Sequence, residues 1–330
     1  MRPFEYVRAD DTAAAVALVS ADPNADYLAG GTTELDLVLK DGVRDPERLV
    51  DITRLPLRGI TSKKDTLRVG ALVTMNELAD DPTVSDRVPF VRDALLAGAS
   101  PQLRNMATIG GNILQRTRCR YFRDVTVTAC NKRAPGSGCA AVRGPARMHA
   151  ILGASEHCIA LHPSDLCVPL VALDTVVDIQ GVDGSRSVPL TELHVLPGER
   201  PDVEHVLEHG ELVTQIRIPL PPVGTRSGYL KVRDRASYEF ALTSAAAALL
   251  VEDGTIVRAR LALGGVGTKP WRALEAEEIL EGAPVGGRTF RAAAEATLVD
   301  PFTVAGTVFK VELAKRTIVR ILQTVSGTGS

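Results

Sequence analysis

The stretch ADYLAGGTTELDLVLKDG, residues 25–42, decides the fold of the first part of the chain. It runs from a short apolar segment through a pair of glycines into a run with apolar residues at helical spacing. This order predicts a strand, a tight turn and a helix, and ERLVDIT at residues 47–53 predicts the next strand. Strand, helix and strand at this spacing indicate a small parallel α/β unit.

The turn AGGTTEL, residues 29–35, is a candidate phosphate-binding loop. Glycines at the end of a strand let the backbone approach a phosphate and direct free N–H groups at it. The spacing is neither G-x-G-x-x-G nor that of a P-loop, so the usual dinucleotide and P-loop interpretations fail. An ordinary strand-to-helix turn remains the alternative at this point.

A second glycine pair lies in RNMATIGGN, residues 104–112, beside Thr108 and Asn112. Alone it is a weak signal, and an ordinary loop is the simpler interpretation. Two such loops in one chain could hold two parts of one long ligand, and a cofactor with two phosphates, such as FAD, fits better than a mononucleotide.

Two further segments carry polar residues with open interpretations. HPSDL, residues 162–166, is either a helix cap or a site in which Asp165 binds a ribityl or ribose hydroxyl. Lys231 lies among alternating residues of a predicted strand, YLKVRDR, and either points into solvent or places a cation beside a flavin.

The cysteines form the most unusual feature. Four of the five lie within forty residues, at Cys119, Cys130, Cys139 and Cys158. Their spacing is not that of zinc ribbons or ferredoxins, but a loop this long without periodic apolar residues needs something to organise it. Thiolates around one centre favour zinc or an iron–sulfur cluster, whereas isolated structural thiols are the alternative. Cys167 lies in an apolar run and is expected to be a small buried residue.

Other residues near the cysteines fit the same interpretation. The basic residues there would offset the charge of a thiolate cluster, namely Arg116, Arg118, Arg120, Arg123, Lys132 and Arg133. His149, His157 and His162 are too loosely spaced to argue a metal triad, and we expect them to be loop or surface residues.

Composition excludes several classes of function. The formal net charge is −2, which argues against nucleic acid or an anionic membrane surface as the main partner. No apolar run is long enough for a membrane span. The start of the chain, DDTAAAVALVS, predicts a capped helix rather than a signal peptide. We therefore expect a cytoplasmic protein, or a periplasmic one if a signal-bearing partner subunit exports it.

Taken in order, five motifs resemble one family, the FAD-binding (medium) subunit of molybdenum hydroxylases, which includes xanthine and carbon monoxide dehydrogenases. AGGTTELDLVLK resembles its first pyrophosphate loop and RNMATIGGNI its second. PSDL and YLKVRDRAS resemble the segments that supply a flavin-contacting aspartate and lysine, and LALGGVGTKPWRALEAEEIL resembles the start of its C-terminal domain.

The resemblance implies an α+β fold in three parts: an α/β lobe at residues 1–57, a larger α+β lobe at 58–221 with a cysteine-rich loop at 116–160, and a C-terminal α+β domain of the CO dehydrogenase flavoprotein type at 222–330. Asp165 would bind the ribityl or ribose part of FAD, and Lys231 would tune the flavin. The remaining FAD-contacting residues would lie in the two glycine loops, whose N–H groups would neutralise the pyrophosphate: Leu28, Ala29, Gly30, Gly31, Thr32, Thr33, Glu34, Leu35, Ala107, Thr108, Gly110, Gly111 and Asn112.

The cysteine-rich loop resembles that of the flavin subunit of bacterial periplasmic-type aldehyde oxidoreductases. In that branch it holds a [4Fe-4S] cluster, so Cys119, Cys130, Cys139 and Cys158 are its expected ligands. The flavin subunit of 4-hydroxybenzoyl-CoA reductase also has a cluster loop, with different spacing.

The family role is electron transfer inside an oxidoreductase complex. A large subunit would hold the molybdenum cofactor, a small subunit would hold [2Fe-2S] clusters, and FAD here would pass electrons to an external acceptor. We expect no catalytic residue in this chain. Two alternatives stay open, a stand-alone flavin reductase and a metal-binding structural protein.

Overall fold

The computed structural model describes residues 3–328. Its first lobe contains a parallel three-stranded sheet in the order β1-β3-β2, built from β1 (Glu5–Arg8), β2 (Ala25–Leu28) and β3 (Arg48–Asp51). Helix α1 (Thr12–Ser20) is capped by Asp11, whose carboxylate accepts a hydrogen bond from the N–H of Ala14. A short π-helix (Asp36–Lys40) follows the first glycine loop. The predicted parallel unit and capped helix are therefore both present.

The second lobe is built on a five-stranded antiparallel sheet in the order β4-β5-β8-β6-β7. Its strands are β4 (Ile60–Lys63), β5 (Thr66–Gly70), β6 (Val176–Gly181), β7 (Gly184–Pro189) and β8 (Leu212–Pro219). Short helices connect them: α2 (Met75–Ala79), α3 (Pro82–Arg87), α4 (Pro89–Ala97), α5 (Pro101–Arg104), α6 (Ile109–Ile113), α7 (Arg120–Arg123), α8 (Cys167–Ala172) and α9 (Leu190–Leu193).

The third part is an antiparallel sheet covered by helices. The strands, in the order β12-β11-β10-β9, are β9 (Arg226–Val232), β10 (Thr243–Glu252), β11 (Thr255–Gly264) and β12 (Trp271–Arg272). The helices are α10 (Leu274–Leu280), α11 (Gly287–Thr297) and α12 (Phe309–Ser326). None of the helices in residues 3–328 is long and apolar enough to cross a membrane.

One sequence-based expectation is corrected here. The segment PLPPVGTRSG, residues 219–228, is rich in proline and glycine and so predicts a linker, but only residues 220–225 lie outside strands. The last residues of this segment begin β9, because Arg226 pairs with Leu249 of β10. Pairing with a neighbouring strand supplies the backbone hydrogen bonds that local composition does not predict.

Strand β10 is buried on both of its faces. Ala246 and Ala248 pack into the core of the second lobe, whereas Ala245 and Ala247 pack into the core of the third part, against helices such as α12. Side chains alternate between the two faces of a strand, so these small residues are shared between two layers.

The cysteine-rich loop bridges the first lobe and the third part. Its short helix α7 carries Phe122, which packs on Leu37 of the π-helix. Further along, Ala146 lies in a small apolar cluster with Phe302 of the third part. A 3-10 helix (Ala140–Val142) and a β-bridge between Cys130 and Cys139 add local order. The loop thus takes part in two small apolar clusters with its neighbours, which the sequence pattern did not indicate.

Candidate functional site

A cleft of about 970 Å³ lies between the two lobes and the third part. Both glycine loops line it, together with Asp165 and Lys231. Of the residues expected to bind FAD, only Leu28 and Leu35 are not among its lining residues. Their side chains instead lie beside Gly31, where a Cβ would come within 2.9 Å of Leu35 and 3.5 Å of Leu28. The structure therefore brings the predicted segments together around one space.

The first glycine loop offers backbone N–H groups to this cleft. Within residues 3–328, the N–H groups of Gly30, Gly31, Thr32 and Thr33 donate no hydrogen bond. Gly31 has φ +71°, and a Cβ at Gly30 would overlap the carbonyl oxygen of Met106. Glycine is required at both positions, and the consequence is a short run of amides free to bind an anion.

The second glycine loop differs from the first, because its amides are already bonded. The N–H of Gly110 donates to the carbonyl of Ala71 at 2.8 Å, and that of Asn112 donates to the carbonyl of Thr108 at 2.8 Å. The N–H of Gly111 donates to the hydroxyl of Thr108 at 3.3 Å. The expectation that the N–H groups of this loop are free to neutralise a pyrophosphate is therefore wrong. The loop lines the cleft with little side-chain bulk, and the unbonded N–H groups lie on the first loop.

Asp165 and Lys231 form a buried ion pair at the cleft. The Nζ of Lys231 lies 2.7 Å from the carboxylate, and the two side chains are 5% and 9% exposed. The hydroxyl of Tyr229 donates to the other carboxylate oxygen at 2.5 Å, and Lys231 also donates to the carbonyl of Ala97 at 3.1 Å. Lys231 therefore does not point into solvent, which was the simpler expectation for a strand lysine.

Glu34 lies in the first glycine loop and lines the cleft, and its side chain is 23% exposed. Burial and the neighbouring Asp26 carboxylate raise the pKa of Glu34 to about 7, although the Arg44 and Arg116 guanidinium groups oppose this. One carboxylate oxygen has no hydrogen-bond partner among the described residues. Glu34 is thus a carboxyl group that changes charge near neutral pH beside the free amides.

The cysteine-rich loop supplies cations to the same cleft. Arg116 and Lys132 both pair with Glu204, Lys132 at 3.0 Å. Arg118 donates to Asp36 at 2.8 Å, and its guanidinium lies 5.5 Å from the ring of Phe240, which lines the cleft. The loop that carries the cysteines is therefore also part of the cleft wall.

Cys119, Cys130, Cys139 and Cys158 line one small cavity, and none of the five cysteines forms a disulfide. Burial raises the pKa of Cys119 to about 12 and also raises that of Cys158. The N–H of Ala160 donates to the sulfur of Cys158 at 3.5 Å. Four soft donors around one cavity make a set that could hold a thiolate-bound metal centre, while Cys167 lies apart in the apolar core.

The three histidines near the cysteines all lie outside helices and strands, as expected, but His149 is not a surface residue. His149 is 4% exposed, and its Nε2 lies 3.2 Å from the sulfur of Cys119. The sequence did not indicate this contact with Cys119, because His149 belongs to no short recognisable motif. Burial also lowers the pKa of His162 far below its usual value, whereas His157 is exposed.

His162 belongs to a second buried cluster, in which its ligand atom and those of Cys167 and His194 lie within 4.8 Å of one another. The Nδ1 of His162 accepts a hydrogen bond from the N–H of Ser164, and the Nε2 of His194 lies 2.8 Å from the carbonyl of Ile113 and donates to it. These roles leave a proton on Nε2 of His162 and a lone pair on Nδ1 of His194. Neither of these two ring atoms has a hydrogen-bond partner among the described residues.

Two family models match consecutive parts of the chain. Residues 2–221 match the FAD binding domain in molybdopterin dehydrogenase, and residues 228–325 match the CO dehydrogenase flavoprotein C-terminal domain. The first match alone spans the cleft-forming lobes and the cysteine-rich loop. The lobe boundaries expected at residues 57 and 221 stay predictions.

Relatives and solved structures agree with these matches. The chain is 45% identical to the aldehyde oxidoreductase FAD-binding subunit PaoB of Escherichia coli over 98% of both chains, and 29% identical to the putative xanthine dehydrogenase FAD-binding subunit XdhB of the same species over 89% of this chain and 85% of that one. A chain of carbon monoxide dehydrogenase from Hydrogenophaga pseudoflava superimposes over all of both chains with TM-score 0.76 and 26% identity. For quinoline 2-oxidoreductase from Pseudomonas putida 86 the TM-score is 0.75 and the identity 25%, over 99% of this chain and 98% of that one. The chain therefore belongs to the FAD-binding medium subunits of the xanthine dehydrogenase, or molybdenum hydroxylase, family, and is a component of an oxidoreductase.

Proposed function

We propose that this chain is the FAD- and [4Fe-4S]-binding subunit of a molybdenum-containing aldehyde oxidoreductase. In this role it takes electrons from the [2Fe-2S] clusters of a partner subunit and passes them to an external acceptor. One observation supports the proposal above the others: the cleft with free backbone amides and the four-cysteine cavity are adjacent, since Lys132 lines both of them.

The cleft fits FAD in size and chemistry. A diphosphate needs donors that are not used elsewhere, and the amides of residues 30–33 supply them. The second glycine loop lines the same cleft with Gly110 and Gly111, which have no side chains to occupy it. When bound, FAD would accept and release electrons one or two at a time.

The residues of this chain would bind and orient that cofactor. The free amides of the first loop, with the hydroxyls of Thr32 and Thr33, would hold the diphosphate. Asp165 would accept a hydrogen bond from a ribityl or ribose hydroxyl, and Lys231 would hold its carboxylate in place while keeping a positive charge beside the flavin. In this assignment no side chain of the chain performs covalent chemistry.

The four cysteines would hold the [4Fe-4S] cluster. Buried thiols with raised pKa values are poor thiolates on their own, but iron replaces the proton and supplies the counter-charge. Arg133 donates from its guanidinium to the carbonyls of Tyr121 and Phe122, both at 2.6 Å, and so holds the loop around the cavity. The 45% identity to an aldehyde oxidoreductase FAD-binding subunit supports this branch over the others.

The proposed partners follow from the family. The relatives include chains named carbon monoxide dehydrogenase medium chain and glyceraldehyde dehydrogenase medium chain, which are names of subunits in larger assemblies. We propose that a molybdenum-cofactor large subunit and a [2Fe-2S] small subunit complete the complex. The proposed location is the cytoplasm, or the periplasm if a partner exports the complex.

The test is an anaerobic analysis of iron, acid-labile sulfide and flavin in the purified full chain, with Cys139→Ser and Cys167→Ala as a matched pair. We expect about four irons, four sulfides and one FAD per chain, the content of one [4Fe-4S] cluster and one flavin. Iron should be lost in Cys139→Ser and kept in Cys167→Ala. FAD without iron in the unsubstituted chain would contradict the cluster and remove the reason for preferring the aldehyde branch.

Two alternatives have distinct signatures. A flavin subunit of a 4-hydroxybenzoyl-CoA reductase or another molybdenum hydroxylase would co-purify with subunits that do not oxidise aldehydes. A stand-alone flavin reductase would oxidise NAD(P)H or reduce a quinone with this chain alone, whereas the proposed subunit needs its partners for turnover.

A further inference from the structure

The third part of the chain places a buried cation next to the cysteine-rich loop. Lys310, near the start of α12, is 0% exposed, and its Nζ donates to the carbonyls of His149 at 2.8 Å and Gly265 at 2.5 Å. Lys310 makes no ion pair with any acid in residues 3–328. Burial, and to a smaller extent the nearby Arg147 charge, lowers the pKa of Lys310 to about 7, as expected for a buried amine without an acidic partner.

The carbonyl that Lys310 holds belongs to the histidine that touches a proposed cluster ligand. The Nε2 of His149 lies 3.2 Å from the sulfur of Cys119, and its Nδ1 has no partner among the described residues. The ring is packed at a tilt against Tyr121, with 5.9 Å between ring centroids. The backbone of the next residues is fixed as well, since the N–H of Ile151 donates to Val266. The ring therefore has little freedom to leave the sulfur.

The chemistry of the sulfur decides the direction of the hydrogen bond. A cysteine bound to iron is a thiolate and has no proton to donate. The contact then requires a proton on Nε2 of His149, which donates to the Cys119 sulfur. Such N–H···S bonds, like nearby positive charge, stabilise the reduced and more negative form of a cluster and raise its reduction potential.

We propose that His149 and Lys310 are positioning residues that raise the reduction potential of the [4Fe-4S] cluster. His149 acts through its hydrogen bond to the Cys119 sulfur. Lys310 acts by donating to the carbonyl of His149, which holds its ring at the sulfur, and in its protonated form adds a buried positive charge. The inference rests on the proposed function, because it requires the cluster at Cys119. The couple would involve one electron, which dithionite would supply in the test and which a partner [2Fe-2S] cluster or reduced flavin would supply in the complex.

The test is a potentiometric titration of the full chain with dithionite, in which electron paramagnetic resonance follows the reduced cluster. His149→Phe removes the donor, and His149→Gln keeps a side-chain N–H that can reach the sulfur. Lys310→Met keeps the length of the side chain without its charge, and Lys315→Met on the same helix is its control, since Lys315 pairs with Glu295. Iron and FAD are measured in every sample.

We expect a lower midpoint potential in His149→Phe and Lys310→Met, with unchanged iron and FAD content. His149→Gln and Lys315→Met should stay close to the unsubstituted chain. An unchanged potential in His149→Phe with full iron content would overturn the inference and leave the proposed function intact. Loss of iron in Lys310→Met would overturn its tuning role, because it would show that Lys310 only holds the loop. An unsubstituted chain without iron would instead contradict the proposed function itself.

Discussion

The Nζ of Lys231 lies 2.7 Å from the carboxylate of Asp165, although the two residues come from different parts of the chain and both are nearly buried. Asp165 precedes α8 in the second lobe, and Lys231 belongs to β9 of the third part. The pair therefore joins the two walls of the FAD cleft. Both residues were expected to contact FAD separately, and their pairing adds a structural role.

This pairing predicts strong non-additivity. Lys231→Met leaves a buried carboxylate without its cation and should lower the free energy of unfolding by about 3–5 kcal/mol. Asp165→Asn should also be costly, but the double variant should cost clearly less than the sum of the two. Urea unfolding of the FAD-free chain measures all four proteins, and simple additivity would contradict a coupled pair.

The glycine at position 30 should be indispensable for FAD binding. Gly30→Ala places a Cβ against the carbonyl of Met106, so the first loop must shift and its free amides lose their common direction. We expect FAD affinity to fall at least about tenfold, equivalent to about 1.4 kcal/mol. Gly59→Ala is the matched control, because nothing lies within 4 Å of a Cβ there. Fluorescence titration with FAD gives both dissociation constants, and equal values would rule out the assigned role of the loop.

The charge of Glu34 should make FAD binding depend on pH. Its pKa of about 7 in the folded chain exceeds the ordinary value of 4.5, so the folded chain holds this proton more tightly than the unfolded one. The protonated Glu34 carboxyl therefore contributes to the free energy of unfolding. This contribution is fully present below pH 4.5 and is lost as the pH rises through about 7.

Above pH 7 the ionised carboxylate would also repel the FAD diphosphate. We expect affinity about one pH unit above 7 to be roughly fivefold weaker than one unit below, since two charges 4 Å apart interact by about 1 kcal/mol in water. Glu34→Gln should flatten this dependence. If FAD affinity depended on pH in the same way in Glu34→Gln and in the unsubstituted chain, the pH dependence would come from another group.

The contribution of Glu204 to stability should have the opposite pH dependence to that of Glu34. Burial would raise its pKa, but the Arg116 and Lys132 charges outweigh burial and hold the pKa below its ordinary value of 4.5. The stability from this carboxylate is therefore present above pH 4.5 and is lost as pH falls through the lowered pKa. Glu204→Gln should unfold at lower urea concentration at pH 7, with a difference that shrinks in acid. A difference that stays constant with pH would show that the ion pairs contribute little.

The sequence predicted the parts of the fold that depend on local patterns. The glycine pairs marked both loops, and the alternation in YLKVRDR marked β9. The segment YEFALTSAAAALLVE, residues 238–252, is compatible with either a helix or a buried strand, because a run of small apolar residues has no clear period. It became β10, since pairing with both neighbouring strands decides its structure.

The candidate site was predicted in its loops but not in its long-range contacts. Lys310 contacts His149 across 161 positions of sequence, and neither residue has a local motif. The bonded amides of the second glycine loop also depend on a distant carbonyl, that of Ala71. Such contacts are created by the packing of the three parts, so spacing along the chain cannot indicate them.

The alternating alanines of β10 limit how the third part of this chain can be exchanged for that of a relative. The two faces of β10 pack into two different cores, so its side chains must fit the packing of both the second lobe and the third part. Any exchange of the third part with that of a relative would have to carry over alanine-sized residues on one face, or repack the second lobe together with it. The two family models meet between residues 221 and 228, but the packing of β10 continues the core of the second lobe into the third part.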